Sequence, residues 1–106
     1  MPNLPEITVT ASRFKLTRGD HEELEVNWDS IVEIIAFKRD MFGYDVICLC
    51  FRVSENDDFI EVAEDFPGHS AFIQELTSRF ALAENWWNDV AFPAFATNAS
   101  TIWRAE

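Results

Sequence analysis

Apolar and polar residues alternate through the first half of the chain and switch to a helical spacing in the second. Ile7, Val9 and Ala11 alternate with Thr8, Thr10 and Ser12, the two-residue period of a half-buried strand. Phe14 and Leu16 continue the pattern with shifted parity, which predicts a bulge or break near Ser12. Thr17–Asp20 reads as a turn. Leu24, Val26 and Trp28 then alternate with Glu23, Glu25 and Asn27, a second strand with one face in water. After a bend at Asp29–Ser30, Ile31–Lys38 is rich in β-branched and aromatic residues and apolar on both faces, as a central strand is. A turn around Gly43 leads to Val46–Val53, the strongest strand pattern of the chain. Ile47, Leu49, Phe51 and Val53 line one face, and Val46, Cys48, Cys50 and Arg52 the other. A polar turn at Ser54–Asp58 precedes a fifth strand, Phe59–Ala63.

Beyond Pro67–Gly68, Phe72, Ile73, Leu76 and Phe80 form one stripe of an amphipathic helix, with Gln74, Glu75, Ser78 and Arg79 on the wet side. Gly68 or Ser70 caps its start. The helix ends or bends at Leu82–Asn85, and Trp86–Val90 forms another helical turn that Pro93 stops. Thr101–Trp103 reads as a short last strand or a packed tail. Adjacent tryptophans on a helix point about 100° apart. Continuing the stripe from Phe80 by i+7 reaches Trp87, so Trp87 is expected in the core, Phe92 or Phe95 at the end of the sheet, and Trp86 at the surface.

Strands with short turns followed by a helix predict an α+β fold: an antiparallel meander of five to six strands packed against a C-terminal helix. The arrangement is similar to a reduced pleckstrin-homology-like meander, a likeness of architecture that carries no function. The chain of 106 residues suits one domain spanning 1–106.

Charge narrows the function. Eight basic against nineteen acidic residues give a formal net charge of −11. Such a surface repels nucleic acid and anionic membranes and speeds encounter with a basic protein. Cys48 and Cys50 lie one residue apart, so on a strand they share a face at about 7 Å, too far for a disulfide. They read as free thiols of a reducing compartment. The start of the chain lacks a basic region followed by an apolar segment, which makes the cytoplasm the expected location. No phosphate-binding loop, nucleophile elbow, dinucleotide fingerprint or zinc-protease spacing is present. His21 and His69 read as surface or capping residues. No enzyme, metal or cofactor is expected.

Twelve of the nineteen acids fall in two segments without Lys or Arg. Asp20, Glu22, Glu23, Glu25, Asp29 and Glu33 make one. Glu55, Asp57, Asp58, Glu61, Glu64 and Asp65 make the other. From the second, Asp57, Asp58, Glu61, Glu64 and Asp65 are the expected partner-binding acids, with Trp86 as aromatic anchor. An aromatic pocket between sheet and helix, lined by Trp86, Trp87 and Phe92, is the competing expectation, for a small ligand or a regulatory role.

Trp28–Ile31, Ile34–Lys38, Asp40, Asp45–Leu49, Phe59–Gly68, Trp87, Phe92–Phe95 and Ile102–Trp103 form a string that resembles a group of small bacterial single-domain proteins. In size, acidity and lack of catalytic chemistry the chain is also similar to immunity proteins of bacterial toxin systems. That resemblance implies a cytoplasmic protein that covers the active site or an essential surface of a cognate toxin, such as a basic nuclease domain. It implies no catalytic residue.

Overall fold

The computed structural model describes residues 4–18, 22–41, 43–54, 59–92 and 99–105. The fold is α+β, with antiparallel strands throughout and two helices. The strands divide between two sheets rather than forming one meander. β1 (Glu6–Val9), β2 (Arg13–Arg18) and β3 (Glu22–Asn27) form the first, in chain order. β4 (Ile31–Asp40), β5 (Asp45–Val53) and β6 (Phe59–Ala63) belong to the second, whose order is completed as β6-β5-β4-β7 by β7 (Ser100–Arg104). A 3₁₀ turn at Trp28–Ser30 turns the chain out of the first sheet, where the bend was expected. β7 occupies the edge of β4 opposite β5, so β3 has no place there.

The parity shift near Ser12 is a hairpin, which makes two strands of one expected strand. Val9 pairs with Phe14, and the Thr10 N–H donates to the Arg13 carbonyl at 2.8 Å. Trp28 and Arg79 fasten this turn from outside. The Trp28 indole N–H donates to the Thr10 carbonyl at 3.0 Å, and the Arg79 guanidinium donates to the Ala11 carbonyl at 2.7 Å while lying 5.0 Å from the Trp28 ring centre.

The core lies between the sheets and under α1 (His69–Arg79). Phe14 from β2, Phe51 from β5 and Phe72 from α1 are fully buried and in mutual contact, with ring centres 5.0–5.8 Å apart. Ile47, Leu49, Phe51 and Val53 face this core, as their alternation predicts. On the opposite face Val46 and Cys48 form a small satellite cluster with Ala63. Burial pushes the Cys48 thiol up to about 12 and raises that of Cys50, so neither is a thiolate at neutral pH. Trp103 packs edge-on against Phe80, with centres 4.7 Å apart.

Also on the outer face of the second sheet, Glu33 is held by three donors. Arg52 Nε lies 3.1 Å away, Arg104 2.8 Å and Thr101 Oγ1 2.9 Å. The Arg104 hydrogen bond, then those of Thr101 and Arg52, lower its pKa from 4.5 to about 2. The folded value lies below the unfolded one, so the stabilisation is complete above about pH 4.5 and is lost as pH falls toward 2. Glu33→Gln is expected to remove on the order of 2 kcal/mol at pH 7 and to flatten the acid limb of stability between those pH values. Denaturant unfolding of both proteins across the acid range checks this. An unchanged acid limb in the variant counts against it.

Candidate functional site

Two helical turns and one strand build a groove at the end of the core. α1 contributes His69 and Ile73, β5 contributes Ile47 and Leu49, and α2 (Trp86–Ala91) contributes both its tryptophans. Glu64, just past β6, completes this part, which has a cavity volume of about 110 Å³. Glu64, Ile47 and Trp87 also line an adjoining part of about 220 Å³ that reaches Lys38, Asp45, Ala91 and Phe92.

The local sequence explains the placement of the tryptophans, which is the reverse of the expectation. α1 ends at Arg79, and Phe80 already has an extended backbone. The helical phase is therefore lost before Trp86 and restarts at Asn85, whose left-handed φ of 61° suits asparagine. In the new helix Trp86 and Val90 share a face by i+4 spacing. Val90 is fully buried, and Trp86 is partly buried against the core. Trp87 points away and is 47% exposed, and Phe92 is 67% exposed instead of closing the sheet. Phe95 lies outside the described residues.

Glu64 is fixed to the groove floor. Its Oε1 accepts the Ile47 N–H at 3.1 Å, and its own N–H donates to the Ile47 carbonyl at 3.0 Å. His69, at the first turn of α1, is half-buried. Burial lowers its pKa, with Glu64 and Asp65 opposing the shift. The imidazole is accordingly neutral at pH 7.

Lys38 was not singled out by sequence, although its parity carried the signal. Ile34, Ala36 and Lys38 stand on one face of β4, opposite Phe51, Leu49 and Ile47, so the lysine is directed inward. It is buried, its Nζ lies 3.4 Å from Asp45 Oδ2, and it donates to the Ala91 carbonyl at 2.7 Å. A cation at the last carbonyls of a helix is favourable. This clasp holds α2 over the second sheet. Lys38→Met is expected to loosen α2 and to remove the ion pair with Asp45, destabilising the protein by about 2–4 kcal/mol. Denaturant unfolding measures the loss, and near-UV circular dichroism of the tryptophans reports on α2. Unaltered values in both would show that the clasp holds nothing.

The expected partner-binding acids separate. Asp57 and Asp58 lie outside the described residues. Glu61 pairs with Arg39 on the outer face of the second sheet. Asp65 is exposed and borders a depression there with Glu61, Met41 and Phe66. Of the four expected partner-binding residues that are described, Glu64 and Trp86 meet in the groove and Glu61 and Asp65 do not. Three acids of the earlier segment, Glu23, Glu25 and Glu33, are compensated across strands. Lys15 lies 3.7 Å from Glu23 and 3.3 Å from Glu25, Arg13 lies 3.4 Å from Glu25, and Glu33 sits in its own network. A linear sequence does not display such pairing, because the partners come from neighbouring strands.

Among the described residues no group of three His, Cys, Asp or Glu side chains is placed to hold a metal ion, and no helix is long and apolar enough to cross a membrane. No protein-family model, curated protein or solved structure matches this chain.

Proposed function

We propose that the chain is an acidic protein-binding module and that the groove around Trp87 is its contact surface. The observation that carries this reading is the clustering of exposed aromatics at one concave place. Trp87 and Phe92 both border the groove and both project into solvent. Large aromatics beside a depression are typical anchors of protein interfaces. The net charge of −11 selects a basic partner and accelerates encounter. Asp65 steers from outside the groove in this reading, while Glu64 acts at the contact. In the fullest version, the module is an immunity protein that neutralises a cognate bacterial toxin by covering its surface, as the resemblance implies. It does so by occlusion, without chemistry of its own.

A metabolite site in the same groove is the second reading, favoured by its apolar walls. Its two parts, about 110 and 220 Å³, reach only jointly the roughly 300 Å³ from which small-molecule pockets usually start. The volumes suit side chains of a partner better than a whole cofactor.

Affinity capture from the native host with the wild-type protein and Trp87→Ala in parallel tests the reading. The expected result is a protein of net positive charge that the wild type retains, that raised salt releases and that the variant fails to hold. Equal retention of the same proteins by both baits would remove Trp87 from the interface.

A further inference from the structure

We propose that the part of the groove walled by Trp86 and Trp87 receives the guanidinium group of an arginine side chain from the basic partner. This deepens the reading of the groove as the contact surface and rests on it. Around this cavity the two indoles and Ile73 supply apolar wall, and Glu64 supplies a carboxylate at the floor. His69, the other ionisable liner, is held neutral at pH 7 by burial and so does not oppose a cation. The nearest lysine, Lys38, belongs to the adjoining part, where its charge is met by Asp45 at 3.4 Å and by the Ala91 carbonyl.

A flat guanidinium stacks on an indole face and directs its edge N–H groups to a carboxylate, which an ammonium does less well. Glu64 is placed for this. Its Oε1 is oriented by the Ile47 N–H at 3.1 Å, and a carboxylate has further acceptor sites on both oxygens. A volume of about 110 Å³ has room for one side chain and little else. The excess of nineteen acidic over eight basic residues supplies the long-range attraction for a cationic ligand.

The test uses tryptophan fluorescence of the full chain titrated with three blocked tripeptides, Gly-X-Gly, where X is arginine, citrulline or norleucine. Citrulline keeps the shape and loses the charge, and norleucine keeps only the apolar stem. The expected result is saturable quenching by the arginine peptide at about ten-fold lower concentration than by the other two, a difference of about 1.4 kcal/mol. Glu64→Gln retains an acceptor for the Ile47 N–H and deletes only the charge, so it is expected to fold and to abolish the preference. Trp87→Ala is expected to abolish the quenching. Equal affinity for arginine and citrulline, tighter binding of norleucine, an undiminished preference in Glu64→Gln, or no saturable quenching would each overturn the proposal. Free arginine binding more tightly than its peptide would likewise overturn a protein-borne source. Failure here is distinguishable from failure of the interface reading. A captured partner that is weakened by Trp87→Ala but indifferent to Glu64→Gln would leave the interface standing without its arginine.

Discussion

Gly68→Ala is expected to destabilise the protein by about 2–5 kcal/mol, from two additive causes. Gly68 has φ +90°, a left-handed conformation that disfavours any side chain by roughly 1–2 kcal/mol. In addition, a Cβ built on it would stand 2.2 Å from the Ile7 carbonyl oxygen. That oxygen is backbone of β1, and the Ile7 N–H is itself bonded to the Pro67 carbonyl at 2.8 Å. β1 and the start of α1 would have to separate, at a further cost of about 1–3 kcal/mol by the usual scale of overpacking. Gly43→Ala isolates the first cause. Gly43 has φ +114° but nothing within 4 Å of an added Cβ, so that change should bring the backbone cost alone. Denaturant unfolding of both variants decides the matter. Equal losses would show that the close approach of β1 to α1 is not what requires glycine at position 68.

Phe14→Ala is expected to cost about 3–5 kcal/mol, a large share of the ~5–15 kcal/mol that holds a domain of this kind folded. Phe14 is fully buried, and its ring centre lies 5.3 Å from Trp28, 5.4 Å from Phe51 and 5.0 Å from Phe72. These partners come from the 3₁₀ turn, the second sheet and α1, so its ring joins the separate layers of the fold. Truncation leaves a cavity that all of them border, with little chance of collapse. Phe14→Leu should lose less, since most of the volume is retained. A lowered unfolding midpoint with unchanged slope identifies a loss of packing rather than a change in the unfolded chain. A loss below about 1 kcal/mol for Phe14→Ala would mean that the layers do not meet through this ring.

The strands were legible wherever one face is buried, because a two-residue period then survives in the sequence. β5 is the clearest case: its odd-numbered residues enter the core and its even-numbered residues line the outer face. The division into two sheets was not legible. It depends on β7 reaching the edge of β4, a pairing between positions some seventy residues apart such as Glu33 and Arg104. The parity shift at Ser12 was visible, but a bulge and a hairpin leave the same trace until Val9 is seen to pair with Phe14. In the groove, the structure brings together Glu64 and Trp86, two of the expected partner-binding residues, and the expected burial of the two tryptophans is exchanged. Counting i+7 from Phe80 assumed an unbroken helix, whereas the extended backbone at Phe80 resets the phase. Lys38 was missed because a lysine in a strand pattern reads as surface. Its inward position is stabilised by Asp45 and a helix-end carbonyl contributed from elsewhere in the chain.

The distribution of charge supports the groove as the centre of the account. Arg13 and Lys15 lie against Glu23 and Glu25, and Arg39 against Glu61, so these three acids are locally compensated. Exposed ion pairs of this kind contribute little to stability. Glu64 faces the aromatic groove with a neutral histidine beside it.

The most direct measurement is the affinity for the captured basic partner of the wild type, Trp87→Ala and Tyr44→Ala, by calorimetry at low and high salt. Tyr44 is also exposed, at 56%, and borders neither part of the groove. The expected result is a loss of about 2 kcal/mol or more, roughly thirty-fold, for Trp87→Ala, with Tyr44→Ala unchanged and the wild-type affinity falling as salt rises. Full affinity in Trp87→Ala, or a loss confined to Tyr44→Ala, would contradict the account and place the contact elsewhere on the surface.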